Sequence, residues 1–353
     1  MEITVTKAKE LKPSPDETKL GFGTILTDHM FKMDYDEENG WHNPRIEPYG
    51  PLSMDPANLT LHYAQTIFEG LKAYRTEEGR IQLFRPQDNF ARFNQSARGL
   101  CIPPLDEELA LEGLKKLLEM EERWVPSEPG TSLYIRPIII AMDPYLGLKS
   151  GSTYLFYIIL SPVGAYYAEG FNPVKIMVTK DYVRAVRGGV GMYKTGGNYA
   201  ASLNATVEAN KAGYTQVLWL DGVEQKYVEE VGSMNIFFVI DGEIVTPRLN
   251  GSILPGVTRD TVLDLAKKWD LPVSERRIGI DEVFEASENG KLDEVFGSGT
   301  AAVISPVGEI KYGDKVITIN DGEVGPLAQR FMDSITNIQY GREKDPKDWV
   351  VPV

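Results

Sequence analysis

Cysteine is almost absent from this chain: Cys101 stands alone among 353 residues. A single thiol excludes an internal disulfide framework and any two-cysteine metal or redox motif, so a reducing compartment, the cytoplasm, is expected and no metal site is. Basic charge is also scarce, with 37 Lys and Arg against 51 Asp and Glu and a net charge of −14. Such a surface repels phosphate backbones and anionic membranes, and no basic patch interrupts it, so neither nucleic acid nor membrane is expected as a partner. Long apolar runs are missing too. The longest, "YLFYIIL", falls far short of the ~20 residues of a spanning helix, and "MEITVTKAKELKPSPDET" lacks the apolar core of a signal peptide. There is no internal repeat and no low-complexity tract.

What remains is a long, mixed chain. Its length exceeds the usual ~100 to 200 residues of one domain, which makes two domains the expectation. Short β-rich runs alternate with helical patterns, as in an α/β or α+β protein. "TILTDHMFKMDY" and "IQLFRP" read as strands, and "SLYIRPIIIAMD" and "STYLFYIILSPV" as two sheet strands joined through "PYLGLKSG". "DEELALEGLKKLLEMEERW" places Leu109, Leu114, Leu117 and Leu118 on one helical face. Gly170, Asn172 and Pro173 break the pattern before "VKIMVT", so the reading places one domain at 1–168, a linker at 169–174 and a second domain at 175–353. The second half offers a helix at "NYAASLNATVEANKAG", a strand "QVLWLD" and a hairpin "SMNIFFVIDGEIVTP". The helix "VTRDTVLDLAKKWD", the strands of "LDEVFGSGTAAVISPVGEIKY" and a closing helix "GPLAQRFMDSITNIQ" follow.

One stretch is unusual in its chemistry. In "GGVGMYKTGGNYAASL" a lysine, Lys194, stands between two glycine pairs, where positive backbone angles and close approach to the main chain are permitted. A Walker phosphate loop would require glycine before the lysine, and Tyr193 stands there; a dinucleotide fingerprint would need its third glycine where Lys194 is. The remaining chemistry that wants a lysine on a glycine-lined turn is a Schiff base with an aldehyde cofactor. Pyridoxal phosphate makes further demands. Its ring nitrogen wants a carboxylate, for which Glu229 and Glu230 are available, and its phenolate oxygen wants a donor, for which Tyr199 is a candidate. Its phosphate wants a helix start, and "LPGVTRDTVLDLA" supplies one at Gly256, Val257 and Thr258, with the turn "GSGTA" adding further N–H groups.

In order along the chain, "FEGLKAY", "RPQDNFAR", "LYIRP", "GGVGMYKTGGNYAASL", "EVGSMNIF", "LPGVTR" and "FGSGTA" resemble the signature segments of the branched-chain amino-acid aminotransferases, fold type IV pyridoxal phosphate enzymes. The resemblance implies a smaller N-terminal α/β domain, a larger C-terminal pseudo-barrel domain that carries the lysine, a cofactor between them, and a homodimer. It implies transfer of an amino group between leucine, isoleucine or valine and 2-oxoglutarate, with small-molecule substrates as the partners. By the same resemblance Lys194 is the catalytic lysine, Glu230 faces the pyridine nitrogen with Glu229 as its solvated neighbour, and Tyr199 holds the phenolate oxygen. Arg92 binds phosphate together with Val257, Thr258 and Thr300, whereas Arg85 is structural. Phe22, Tyr63, Phe68, Leu148 and Tyr166 line the substrate pocket, Tyr134 and Arg136 meet the second carboxylate of glutamate, and the backbone of Thr300 and Ala301 takes the α-carboxylate. A branched aliphatic side chain has no polar handle, so apolar and aromatic walls suit it. Where mammalian members carry C-x-x-C after "GSGTA", this chain reads "AVIS", so thiol regulation is not expected.

Overall fold

The computed structural model describes residues 1–164 and 170–353. Two compact units emerge: Met1–Tyr166, Tyr193–Gly196 and Asn337–Val353 in the first, Tyr167–Met192 and Gly197–Thr336 in the second. The chain therefore departs in two places from a continuous second domain over 175–353. The lysine turn joins the first unit because Thr195 bridges Ile67 in the antiparallel sense. The C-terminal strand Val350–Pro352 joins it through an antiparallel ladder with Ile81–Phe84.

The first unit holds β1 (Thr4–Val5), β2 (His29–Asp36), β3 (Gly40–Pro48), β4 (Thr66–Phe68), β5 (Leu71–Arg75), β6 (Ile81–Phe84), β7 (Ser132–Ala141) and β8 (Tyr154–Val163). Its sheet, nine-stranded among the described residues, runs β1-β3-β2-β8-β7-β5-β6 and then the C-terminal strand, with β4 on β7. Helices α1 (Leu59–Tyr63), α2 (Pro86–Gly99) and α3 (Glu107–Met120) accompany it. Asp106 caps α3 by accepting from the amides of Glu108 and Leu109 at 3.0 and 3.1 Å, satisfying donors the helix start leaves open. The stripe Leu109, Leu114, Leu117 and Leu118 is buried in one core with Phe31 and Phe156, as its spacing predicts.

In the second unit β9 (Val174–Val178), β10 (Gln216–Leu220), β11 (Val228–Val231), β12 (Asn235–Ile240), β13 (Glu243–Pro247), β14 (Val273–Arg276), β15 (Leu292–Gly299), β16 (Val303–Tyr312) and β17 (Lys315–Thr318) form a mixed sheet. Its order is β11-β10-β9-β16-β15-β12-β13-β14 with β17 on β16. The helices that follow along the chain are α4 (Gly196–Lys211), α5 (Val257–Lys268), α6 (Ile280–Glu288) and α7 (Pro326–Gln339). The expected hairpin is β12–β13, turned by Asp241 and Gly242 at φ 53° and 77°, the positive angles a two-residue turn demands. Both units thus have the mixed α/β character expected.

Candidate active site

Lys194 is stitched into the first unit by its main chain. Its amide donates to Ser96 Oγ at 2.9 Å and its carbonyl accepts from the amide of Phe68 at 3.0 Å. Thr195 Oγ1 adds a bond to the Thr66 carbonyl at 2.8 Å. This places the lysine Nζ 4.7 Å from the centroid of the Phe68 ring. Tyr193, the residue that spoils the phosphate loop, packs on the end of α2: a Cβ on Gly99 would stand 2.4 Å from its ring. Upstream, Gly188 takes φ 87° and Gly191 lets the Ser252 carbonyl approach to where a Cβ would lie only 2.3 Å away. Gly196 and Gly197, by contrast, open α4 without positive φ, so of these glycines Gly188 serves a positive backbone angle and Gly191 a close approach.

Four of the expected pocket residues continue from Lys194. The Arg136 guanidinium carbon lies 4.7 Å from the Phe68 centroid and 5.2 Å from that of Tyr134, and its NH2 donates to the Tyr134 hydroxyl at 3.0 Å. Phe22 meets the Tyr134 ring edge-on at 4.9 Å. Arg136 Nε is buried and, among the described residues, has no hydrogen-bond partner, a donor left beside two aromatic faces. Such a group suits a carboxylate brought by a ligand.

The remaining first-unit candidates lie apart from this cluster. Tyr63, half exposed, donates its hydroxyl to the Leu146 carbonyl, and Leu148 is 81% exposed on the same loop. Asp143 pins that loop: its carboxylate accepts from the amides and hydroxyls of Ser152 and Thr153 and lies 3.1 Å from Lys149 Nζ. Burial alone pushes this carboxyl up, but the bonds from Thr153, Ser152 and Lys149 outweigh it and hold the group well below the usual range. Tyr166 falls outside the described residues.

Of the two arginines weighed from sequence, Arg85 holds Asp88 at 2.7 Å and faces the Trp349 ring. Arg92 forks onto Glu69, Nε to Oε1 at 2.7 Å and NH2 to Oε2 at 2.8 Å, with both side chains buried. Glu69 also accepts from the Gly70 amide at 3.1 Å, so the fork is fixed from two directions. Sequence reasoning missed Glu69. It missed Lys72 as well, whose ammonium burial pulls down to about 8.

In the second unit, Glu230 is buried and ringed by donors. Arg184 Nε lies 2.5 Å from its Oε2, and the Leu254 amide and Asn235 Nδ2 reach Oε1 at 3.1 and 3.3 Å. Arg184 in turn donates to the carbonyls of Gly191 and Ser252. Glu229 corrects an expectation: it is not solvated but 4% exposed, bonded through Oε1 to Asn250 and Ser252. Both faces of β11 are buried, from Val228 to Val231, and a β-bulge falls at this residue. Trp219 pairs with Glu230 and Leu220 with Val228, which leaves Glu229 as the extra residue and breaks the alternation that would separate neighbouring side chains.

The helix start expected to bind phosphate is α5, with Gly256 as its N-cap, no side-chain cap, and Val257 and Thr258 in its first turn. Tyr199 lies in the first turn of α4, half-buried, and Thr300 and Ala301 lie at the turn between β15 and β16. Chemically, the second unit offers a held carboxylate and a helix start with glycine at its N-cap, and the first an amine, a buried guanidinium and aromatic walls.

Residues 66–310 match the family model for amino-transferase class IV. The chain belongs to that family. It is 57% identical over 353 residues to Branched-chain-amino-acid aminotransferase 2 of Bacillus subtilis (strain 168), covering 100% of this chain and 96% of the relative. Among solved structures it resembles the Escherichia coli branched-chain amino acid aminotransferase with a TM-score of 0.77 and 28% identity, over 92% of this chain and 98% of that one. The branched-chain aminotransferase of the thermophilic archaeon Thermoproteus uzoniensis, solved with norvaline, matches with a TM-score of 0.74 and 27% identity, over 91% of this chain and 99% of that one. Class IV aminotransferases use pyridoxal phosphate, and this member is a pyridoxal-phosphate-dependent transaminase of fold type IV.

Proposed function

We propose that this class IV aminotransferase moves an amino group reversibly between L-leucine, L-isoleucine or L-valine and 2-oxoglutarate, as a cytoplasmic homodimer working in two half-reactions. The observation that carries the reading is the cluster Phe22, Tyr134, Arg136, Phe68 and Lys194: an amine beside aromatic walls, with a buried guanidinium donor left for a carboxylate. The aromatic faces suit a branched aliphatic side chain, and Arg136 with the Tyr134 hydroxyl suits the second carboxylate of glutamate.

The residues present fit the cofactor. Glu230, held by Arg184, Asn235 and Leu254, would keep a ring nitrogen protonated. Arg92, oriented by Glu69, would bind phosphate with the α5 start at Val257 and Thr258 and with Thr300. Tyr199 would donate to the phenolate oxygen. When bound, pyridoxal phosphate supplies an electron sink for the pair left at the substrate Cα. Lys194 Nζ then takes the Cα proton and returns it on the far side of the transfer, a task that needs its amine neutral. The main-chain stitching to Phe68 and Ser96 fixes where that nitrogen starts.

Absorbance spectroscopy tests the assignment. The purified protein is expected to carry a visible cofactor band that L-leucine bleaches and 2-oxoglutarate restores. Replacing Lys194→Ala is expected to lower turnover by at least ~10² to 10⁴-fold. A Lys194→Ala enzyme with ordinary turnover would sink the role of the lysine, and faster turnover of D-alanine than of L-leucine would sink the substrate class.

A further inference from the structure

A cavity of about 220 Å³ lies within the second unit, and the transamination proposed above makes no use of it. Its charged lining is Arg187, Asp221, Glu224, Glu229, Arg248 and Arg277. Three guanidiniums face three carboxylates, so the lining is formally neutral while offering both signs.

Most of these charges are already matched. Asp221 accepts from the amides of Val223, Glu224, Lys226 and Tyr227 at 2.7 to 3.2 Å, which holds its carboxyl below the usual range against the effect of burial. Glu224 and Arg277 take each other at 2.7 Å, and the Arg277 guanidinium lies 3.5 Å over the Tyr227 ring. Three groups remain. Glu229 is 4% exposed, and its Oε1 accepts from Asn250 Nδ2 at 2.9 Å and Ser252 Oγ at 2.5 Å, yet its buried Oε2 has no hydrogen-bond partner among the described residues. A carboxylate oxygen buried without a donor is costly, and its residue lines the cavity. Arg187 and Arg248 are exposed, and among the described residues neither side chain has an ion-pair or hydrogen-bond partner.

We propose that this cavity is a second small-molecule site whose ligand is a small zwitterion, with its ammonium on Glu229 Oε2 and its carboxylate or sulfonate on Arg187 and Arg248. A simple anion would meet the arginines and leave the buried oxygen unmet; a simple cation would do the reverse. The volume is below the ~300 Å³ at which drug-sized ligands begin, which suits a small occupant. The inference stands on the cavity alone and survives whichever amino donor the enzyme prefers.

Calorimetric titration of the holoenzyme with β-alanine and with taurine tests it, because neither is an α-amino acid. Saturable binding is expected, weakened about tenfold or more by Arg248→Ala and by Glu229→Gln, with acetate and methylamine each binding more weakly than β-alanine. Arg248 is exposed and unpaired, so its variant keeps the test open should Glu229→Gln fail to fold. No saturable heat would mark a solvent cavity only and overturn the site. Binding that both variants leave unchanged would place the probe elsewhere, and acetate binding as tightly as β-alanine would overturn the zwitterion.

Discussion

Glu69 lies inside the segment "FEGLKAY", yet nothing in that segment told what its carboxylate holds. Its fork with Arg92 is buried on both sides, so removing the carboxylate takes a charged partner from a buried guanidinium. Glu69→Ala is expected to cost about 3 to 5 kcal/mol of stability, read as a lowered midpoint in urea, and to weaken retention of pyridoxal phosphate on dialysis. Glu69→Gln, which keeps the shape, should lose less stability while still loosening the cofactor. Retention unchanged in both variants would separate Arg92 from the phosphate. Sequence could name Arg92 by resemblance, but the 23-residue gap to Glu69 carries no period or spacing that points to a partner. The aromatic cluster was more legible, since Tyr134 and Arg136 are two apart on one strand and share a face.

Elements differ in what their sequences disclose. The leucine stripe of α3 and the Asp-Gly turn of β12–β13 are local signals, and both formed as read. Gly242→Ala is expected to cost about 1 to 2 kcal/mol by thermal denaturation, purely from its φ of 77°, since nothing lies within 4 Å of the added methyl. The Asp143 loop is less legible, because the carboxylate that anchors it reaches nine and ten residues ahead to Ser152 and Thr153. Asp143→Asn should cost about 1 to 3 kcal/mol at neutral pH. The native carboxyl titrates below its unfolded counterpart, so its contribution is complete above the unfolded value and is lost as pH falls through the folded one. The difference in melting temperature between wild type and variant should therefore be full at neutral pH and shrink below ~pH 4. A difference that grew in acid would contradict the assignment.

At the scale of the whole molecule, two distant pieces of chain complete the first unit. The last strand pairs with β6, Trp349 is buried, and its carbonyl accepts from the Arg85 amide at 2.6 Å. Truncation after Asp348 removes that tryptophan and the strand together. A loss of about 3 to 5 kcal/mol is expected from the buried ring alone, measured as reduced thermal stability and faster proteolysis. The lysine turn is the other piece. Composition and periodicity could suggest two domains, but long-range pairing such as Thr195 with Ile67 leaves no trace in a local pattern.

The bulge in β11 makes chain length itself a chemical variable. Because Glu229 is the supernumerary residue opposite Trp219 and Leu220, deleting it would restore a regular ladder without changing the identity of any other side chain. The repaired strand would keep Glu230 and lose the second carboxylate. A chain one residue shorter at this point is expected to keep transamination and to lack the neighbouring cavity's acceptor, so its response to a ligand there would change while its reaction would not.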